Sequence, residues 1–409
     1  MRTALAALLA LSCAACTRAP ADRPTPVAER DSAGITILDH GRLDMAALPR
    51  LHLDSAPLLR IGVTDGDEAY QFNRIADATL RADGSIAVLD ASRTLRVFDH
   101  AGALRWRTGG AGDGPGEFQA PLRVEAIAAR CGAPDTLLVW DVRHGRFSLF
   151  TEPDGLVRVV SLPALAGRAA WLGLLAGRTA LFEQRSVERT MEGTLEAIAT
   201  RATLLRADTS LSTLSALGEH AQTVQYREGQ HPDGAFSPAI FAGIVRFAPG
   251  GDGYWLADPD VTALRHVVPG GTHRLVRWRG DDRAVTPADV DAVITKWLAE
   301  SRSQEQRDAI TRYAATHPRA SRFPAMDSLL VASDGAVWLS DFVREHQDDG
   351  VRRWTRLSAD GRAFTHRLEH PASVRLLRVH DDEVLAVERD TLDVEQLVRY
   401  RLRPASDAR

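Results

Sequence analysis

Hydrophobic residues in this chain come in short alternating runs punctuated by Asp-Gly pairs. The clearest run is residues 82–90, where Asp83-Gly84 opens a turn, Ile86 and Val88 share one side, and Asp90 closes it. Alternation with period two predicts a strand, and Gly84 supplies the left-handed backbone a tight turn needs. The phrase returns at residues 333–341, with Asp334-Gly335 and a closing Asp341, and at 251–258, with Asp252-Gly253 and a closing Asp258. Looser copies occupy 134–141, ending at Asp141, and 381–388. Such repetition implies units that cannot bury an apolar face alone and must stack to share a core.

Around the first phrase, residues 75–80, 95–99 and 104–107 add three more short apolar runs, the last two joined through Ala101-Gly102. Four short strands with turn residues between them make one antiparallel blade of a propeller. Six blades are expected. Asp90 to Asp141 is 51 residues, whereas Asp141 to Asp258 is 117, which leaves room for a hidden third blade in residues 171–217, with 177–182 as its degraded phrase. Asp258 to Asp341 is 83 residues, one repeat plus an insert. The insert reads as helical: Thr286 suits an N-cap, Pro287 the first helical position and Asp289 the first turn. Val290, Val293, Ile294, Trp297 and Leu298 then recur at helical spacing, and a second helical run covers 304–315.

The expected fold class is therefore all-β, a six-bladed β-propeller with a two-helix insertion (285–318) between blades 4 and 5. Residues 1–16 form a targeting segment, 17–31 a Pro-rich tether, 32–404 the propeller and 405–409 a tail. In a ring, an orphan N-terminal strand completes the last blade, so residues 32–38 are expected to pair with 396–402.

Composition changes this picture little. Formal net charge is −4 and Lys296 is the only lysine, so the chain lacks the basic run that nucleic acid would demand. The N-terminus changes it more. Arg2 precedes an apolar stretch, residues 4–11, too short to span a bilayer, and Cys13 and Cys16 each follow small residues. Small residues before a cysteine resemble a lipobox, which makes Cys16 or Cys13 the lipidation site; the alternative is an ordinary secretory signal. Membrane association is expected only through that anchor, in a periplasmic, outer-membrane or secreted protein that is a monomer. Beyond them only Cys131 remains, so no intrachain disulfide can staple the domain.

Four stretches together resemble secreted or lipid-anchored bacterial six-bladed propellers related to NHL-repeat proteins. They are residues 61–72, 109–118 with its Gly-Pro-Gly-Glu-Phe, 33–37 and 389–395, and the resemblance spans 32–403. It implies a fold and no single activity. It also implies that the first strand of each blade lines a central channel, which puts Arg74, Asp77, Arg123, Glu125, Asp327, Arg375 and Arg378 around one axis.

The sequence offers little catalytic chemistry. The glycine run at 110–115 leads into Pro115 and another strand, so it reads as an inter-blade loop and not a phosphate cradle. No Gly-x-Ser-x-Gly elbow is present. His366 and His370 would stand about 13 Å apart on a strand, too far for one metal. Residues 65–68 hint at a calcium loop, yet Ala76 stands at its twelfth position. Trp140, Trp255 and Trp338 lie within the repeated strands and are expected to pack between blades. The closing aspartates are expected to accept backbone N–H bonds.

The sequence supports a non-enzymatic propeller that binds a polar ligand or an envelope protein at the channel mouth, through Arg74, Asp77, Arg123, Glu125, Asp327 and Arg375, with no cofactor. Two alternatives stand beside it. One is a lactonase-like hydrolase holding a divalent cation such as calcium through Asp77, Glu125 and Asp327. The other is a structural subunit of an envelope assembly.

Overall fold

The computed structural model describes residues 27–405 except 129–134, 153, 194, 209, 212 and 229–235. Cys13, Cys16, Cys131 and the targeting segment lie outside the described residues. Within them, five four-stranded antiparallel meanders and a final three-stranded one follow one another, and an N-terminal strand completes the last. Blades 1 and 2 begin with inner strands Ile75–Leu80 and Pro121–Ile127, blade 3 with Ala169–Leu174 and blade 4 with Arg246–Gly250. Blades 5 and 6 begin with Leu329–Val331 and Val374–His380. Each inner strand neighbours the inner strand of the next blade, and that of blade 6 neighbours that of blade 1, so the ring closes.

Six apolar clusters, one at each blade junction, hold the ring together. Phe98 and Ile86 meet Leu385 and Leu397 between blades 1 and 6. Leu95 and Phe118 meet Val139 and Phe150 between blades 1 and 2. Trp140, Trp255 and Trp338 are fully buried in three of the other junctions, as their strand positions predict. The glycine run is an inter-blade loop. Gly109 has φ +96°, and a Cβ there would stand 2.8 Å from both the Arg93 carbonyl and the Phe118 ring, so only glycine lets Phe118 plug the junction.

Two of the four closing aspartates, Asp90 and Asp141, anchor the start of their own blade, whereas Asp258 accepts from the Asp260 N–H in the turn that follows it and Asp341 is paired with Arg367. Asp90 accepts from the Asn73 backbone N–H and from Arg96. Asp141 accepts from the backbone N–H of Gln119, Ala120, Arg143 and His144. Burial would raise the Asp141 pKa, but these donors outweigh it and hold the carboxyl below its ordinary range.

The ring closes through a different strand from the one the sequence suggested. Four N-terminal strands, β1 (Ala28–Ser32), β2 (Ile35–Arg42), β3 (Arg50–Leu53) and β4 (Leu59–Ile61), run along the outer rim. β2 lies parallel to the outer strand of blade 4, with Ile37 opposite Leu275, and β1 covers its free edge. β3 joins blade 5 to blade 6, parallel to one and antiparallel to the other. β4 supplies the fourth strand of blade 6, with Ile61 opposite Leu397. Residues 32–38 thus extend blade 4 and do not touch 396–402; the twenty residues after them carry the chain to the true closing position. Ile61, the first residue of the 61–72 stretch, therefore ends the last blade.

The hidden blade is present but wider than its sequence limits. Its second to fourth strands, Ala180–Glu192, Leu195–Ala207 and Leu214–Glu228, are 13, 13 and 15 residues long and project beyond the ring as a tongue. Two helices, α1 (Pro287–Glu300) and α2 (Gln304–Thr316), occupy the insert between blades 4 and 5. Thr286 and Asp289 form the capping box of α1. The insert rests on the tongue, where the Tyr313 hydroxyl donates to the Pro238 carbonyl at 2.8 Å.

Candidate functional site

In a four-stranded meander, the loop between second and third strands and the link to the next blade emerge on the same face. That face carries the tongue, the insert and a cleft of ≈ 740 Å³ at the mouth of the channel. Its lining comes from three blades: Arg246 and Phe247 of blade 4, Leu329, Leu330 and Ser340 of blade 5, and Val374 and Arg375 of blade 6. The loop after Ser340 supplies a wall of Asp341, Phe342, Val343 and Glu345.

The polar groups in the cleft are mostly committed. Arg246 donates Nε to the Asp327 carbonyl at 2.7 Å, and its Nη2 stands 3.6 Å from the Asp327 carboxylate. Asp341 is paired with Arg367 of the outer strand of blade 5. Arg352 grips Asp348 with two bonds of 2.8 and 3.0 Å. Glu345 accepts from the Trp297 indole of α1 at 2.7 Å, so the insert buttresses this wall without lining the cleft.

At the cleft floor, Trp354 donates Nε1 to His370 Nε2 at 3.1 Å. An indole nitrogen only donates, so Nε2 must accept, and the ring proton sits on Nδ1, which donates to the Pro371 carbonyl at 2.9 Å. Burial lowers the His370 pKa and reinforces this neutral form.

The residues expected on the axis divide into three groups. Asp327 and Arg375 reach the cleft. Asp77, Arg123, Glu125 and Arg378 lie deeper in the channel. Asp77 accepts from Arg378 at 2.8 Å and from the Val124 N–H at 3.1 Å. Arg123 donates Nε to Glu125 at 2.8 Å, and the other Glu125 oxygen takes the Leu174 N–H at 3.1 Å. Burial opposes the charge on Arg378, but the Asp77 and Glu125 carboxylates prevail and raise its pKa. Arg74 goes elsewhere: it sits at φ +51° in a separate groove beside Arg389 and Glu395.

Four inner strands carry an irregularity that the sequence does not announce. The register shifts past Ala76 in blade 1, Leu122 in blade 2, Leu172 in blade 3 and Leu377 in blade 6. A bulge re-aims the side chains beside it, and three of these four bulges flank Asp77, Arg123 and Arg378. Arg246, the cleft residue missed from sequence, did leave a signal: it opens the inner strand directly before the phrase at 251–258. Trp354 and His370 left none, because their pairing crosses two strands.

The three carboxylates considered for a cation do not assemble into a ligand set. Asp77 and Glu125 face arginines and backbone N–H groups, while Asp327 faces Arg246. Among the described residues no group of three or more His, Cys, Asp or Glu side chains is arranged to hold a metal ion. Asp67, from the imagined calcium loop, caps a short 3-10 turn through the Ala69 N–H. His366 and His370 serve separate surroundings, with His370 bonded to Trp354.

No family model and no curated protein matches the chain. Solved structures do align with it over most of its length. A Bacteroides fragilis protein described as exported is 10% identical with TM-score 0.47, covering 90% of this chain and 99% of that one. Virginiamycin B lyase from Staphylococcus aureus is 9% identical with TM-score 0.39, covering 88% and 97%. The WD40 domain of Toxoplasma gondii coronin is 10% identical with TM-score 0.34, covering 82% and 71%. The architecture rests on the sheet topology, and no activity is carried over from these proteins.

Proposed function

We propose that this chain is a binding propeller of the bacterial cell envelope that takes a polar ligand in the cleft at its channel mouth. The observation that carries the reading is the ≈ 740 Å³ concavity itself, built by three blades and combining charged side chains with an apolar floor. An enzymatic reading has less support, because the channel carboxylates Asp77 and Glu125 are bound to arginines. The envelope assignment rests on the N-terminal sequence, with acylation at Cys13 or Cys16. Among the described residues no helix is long and apolar enough to cross a membrane.

The test is a ligand screen by thermal shift on wild type and on Ala372→Trp. Ala372 lines the cleft, and its side chain is exposed, so an indole there fills the site without removing a contact. Ligands that stabilise wild type and not Ala372→Trp support the reading. An empty screen, or hits indifferent to the substitution, overturns it. Mass spectrometry of the mature N-terminus checks the location separately: an unmodified terminus beyond Cys16 defeats the anchor.

A further inference from the structure

We infer that the cleft is selective for an organic anion, a carboxylate or phosphate ester carrying an apolar group. This rests on the cleft being a ligand site, and it follows from which charge in the cleft lacks a counter-charge. Asp327 faces Arg246, Asp341 faces Arg367, and Arg352 faces Asp348. Glu345 is turned to Trp297 on the insert, where the charge of Lys296 also reaches it. Among the described residues Arg375 faces no carboxylate. The hydrogen bond it makes there takes Nη2 to the Ile75 carbonyl at 2.8 Å, and the side chain is exposed at the mouth.

That single bond fixes the guanidinium while leaving most of its donors free. A planar fork with free N–H groups matches a carboxylate or phosphate edge and binds it with two parallel bonds. Asp327 and Asp341 carry arginine partners, so they repel an incoming anion less than bare carboxylates would. Phe342, Val343 and Leu330 are half-buried and line the same cavity, which gives the remainder of the ligand an apolar wall. His370 offers nothing to an anion while its proton is held on Nδ1 and bonded to Pro371.

The experiment is isothermal titration of the full mature chain with four probes of one shape: benzoate, phenyl phosphate, benzyl alcohol and benzylammonium. The expected result is binding of one or both anions at least tenfold tighter than of the neutral and cationic probes. The stronger anion tells a carboxylate from a phosphate ligand. Arg375→Ala should weaken anion binding at least tenfold and Arg375→Lys less, with the melting temperature of both near wild type because the side chain is exposed. Ala372→Trp should abolish it. If the neutral or cationic probe binds as well as the anions, or Arg375→Ala binds them unchanged, anion selectivity is overturned while the cleft remains a ligand site. If no probe binds wild type, or binding survives Ala372→Trp, the inference and the binding reading fall together.

Discussion

Blades 6, 1, 2 and 3 hold their place in the ring differently from blades 4 and 5. In the first arc every inner strand carries a bulge, and side chains beside the bulges join neighbouring blades at the axis: Arg378 of blade 6 to Asp77 of blade 1, Asp77 to the Val124 backbone of blade 2, and Glu125 to the Leu174 backbone of blade 3. Blades 4 and 5 have regular inner strands, and that of blade 5 is only three residues long. Beside the Arg246–Asp327 contact at the cleft they are tied at the outer rim, where β2 extends blade 4 and β3 bridges blade 5 to blade 6. The consequence is a filled channel on one side and an open cleft on the other.

The largest expected effect comes from cutting the rim. A chain lacking residues 1–26 should melt like the full domain. One lacking 1–46 loses β1 and β2 and should melt clearly lower, because Leu38 leaves the apolar cluster between blades 4 and 5. One lacking 1–61 also loses β3 and β4, which exposes the edge of blade 6, and should aggregate or fail to fold. Thermal unfolding with size-exclusion chromatography orders the three, and equal melting of all would reject the rim as a fastening.

Second is the axis. Arg378→Met leaves the Asp77 carboxylate buried with only a backbone N–H, at a cost of about 3–5 kcal/mol. Replacing both partners with apolar residues, Asp77→Leu with Arg378→Met, should recover much of that loss. Urea unfolding decides. A single variant as stable as wild type would show that the pair does not fasten the first arc.

Acid should loosen the second arc. Burial lowers the pKa of His266 in blade 4, of His366 and His370 in blade 5, and of His220 in the adjoining tongue strand below the ordinary 6.5. A depressed folded-state pKa means that the unfolded chain takes up protons first. The stability from the neutral rings is fully present above pH 6.5 and is lost as pH falls from there through the folded values. Hydrogen exchange compared at pH 7.5 and 5.0 should show protection falling earliest in blades 4 and 5. A uniform fall around the ring would contradict the assignment.

The smallest effect belongs to the insert. Trp297→Phe removes one hydrogen bond to Glu345 and should cost roughly 0.5–1.5 kcal/mol, with anion binding in the cleft altered less than by Arg375→Ala. Denaturant unfolding and titration measure the two.

The sequence by itself determined the repeat and most of what the repeat implies. Asp-Gly turns, alternating apolar runs and closing aspartates act within one blade, so their physics is local and visible in order along the chain. The capping box at Thr286 and Asp289 was legible for the same reason. Tertiary structure alone decided which N-terminal strand closes the ring, because both 35–37 and 59–61 are short apolar runs and only the path along the rim chooses between them. It alone placed the bulges, since an extra residue in a strand is defined by the partner strand and not by its own sequence. It separated Arg74 from Arg375, and among the described residues it left Arg375 without a counter-charge. An unpaired charge is a property of every group around it, and those groups come from blades far apart in the chain.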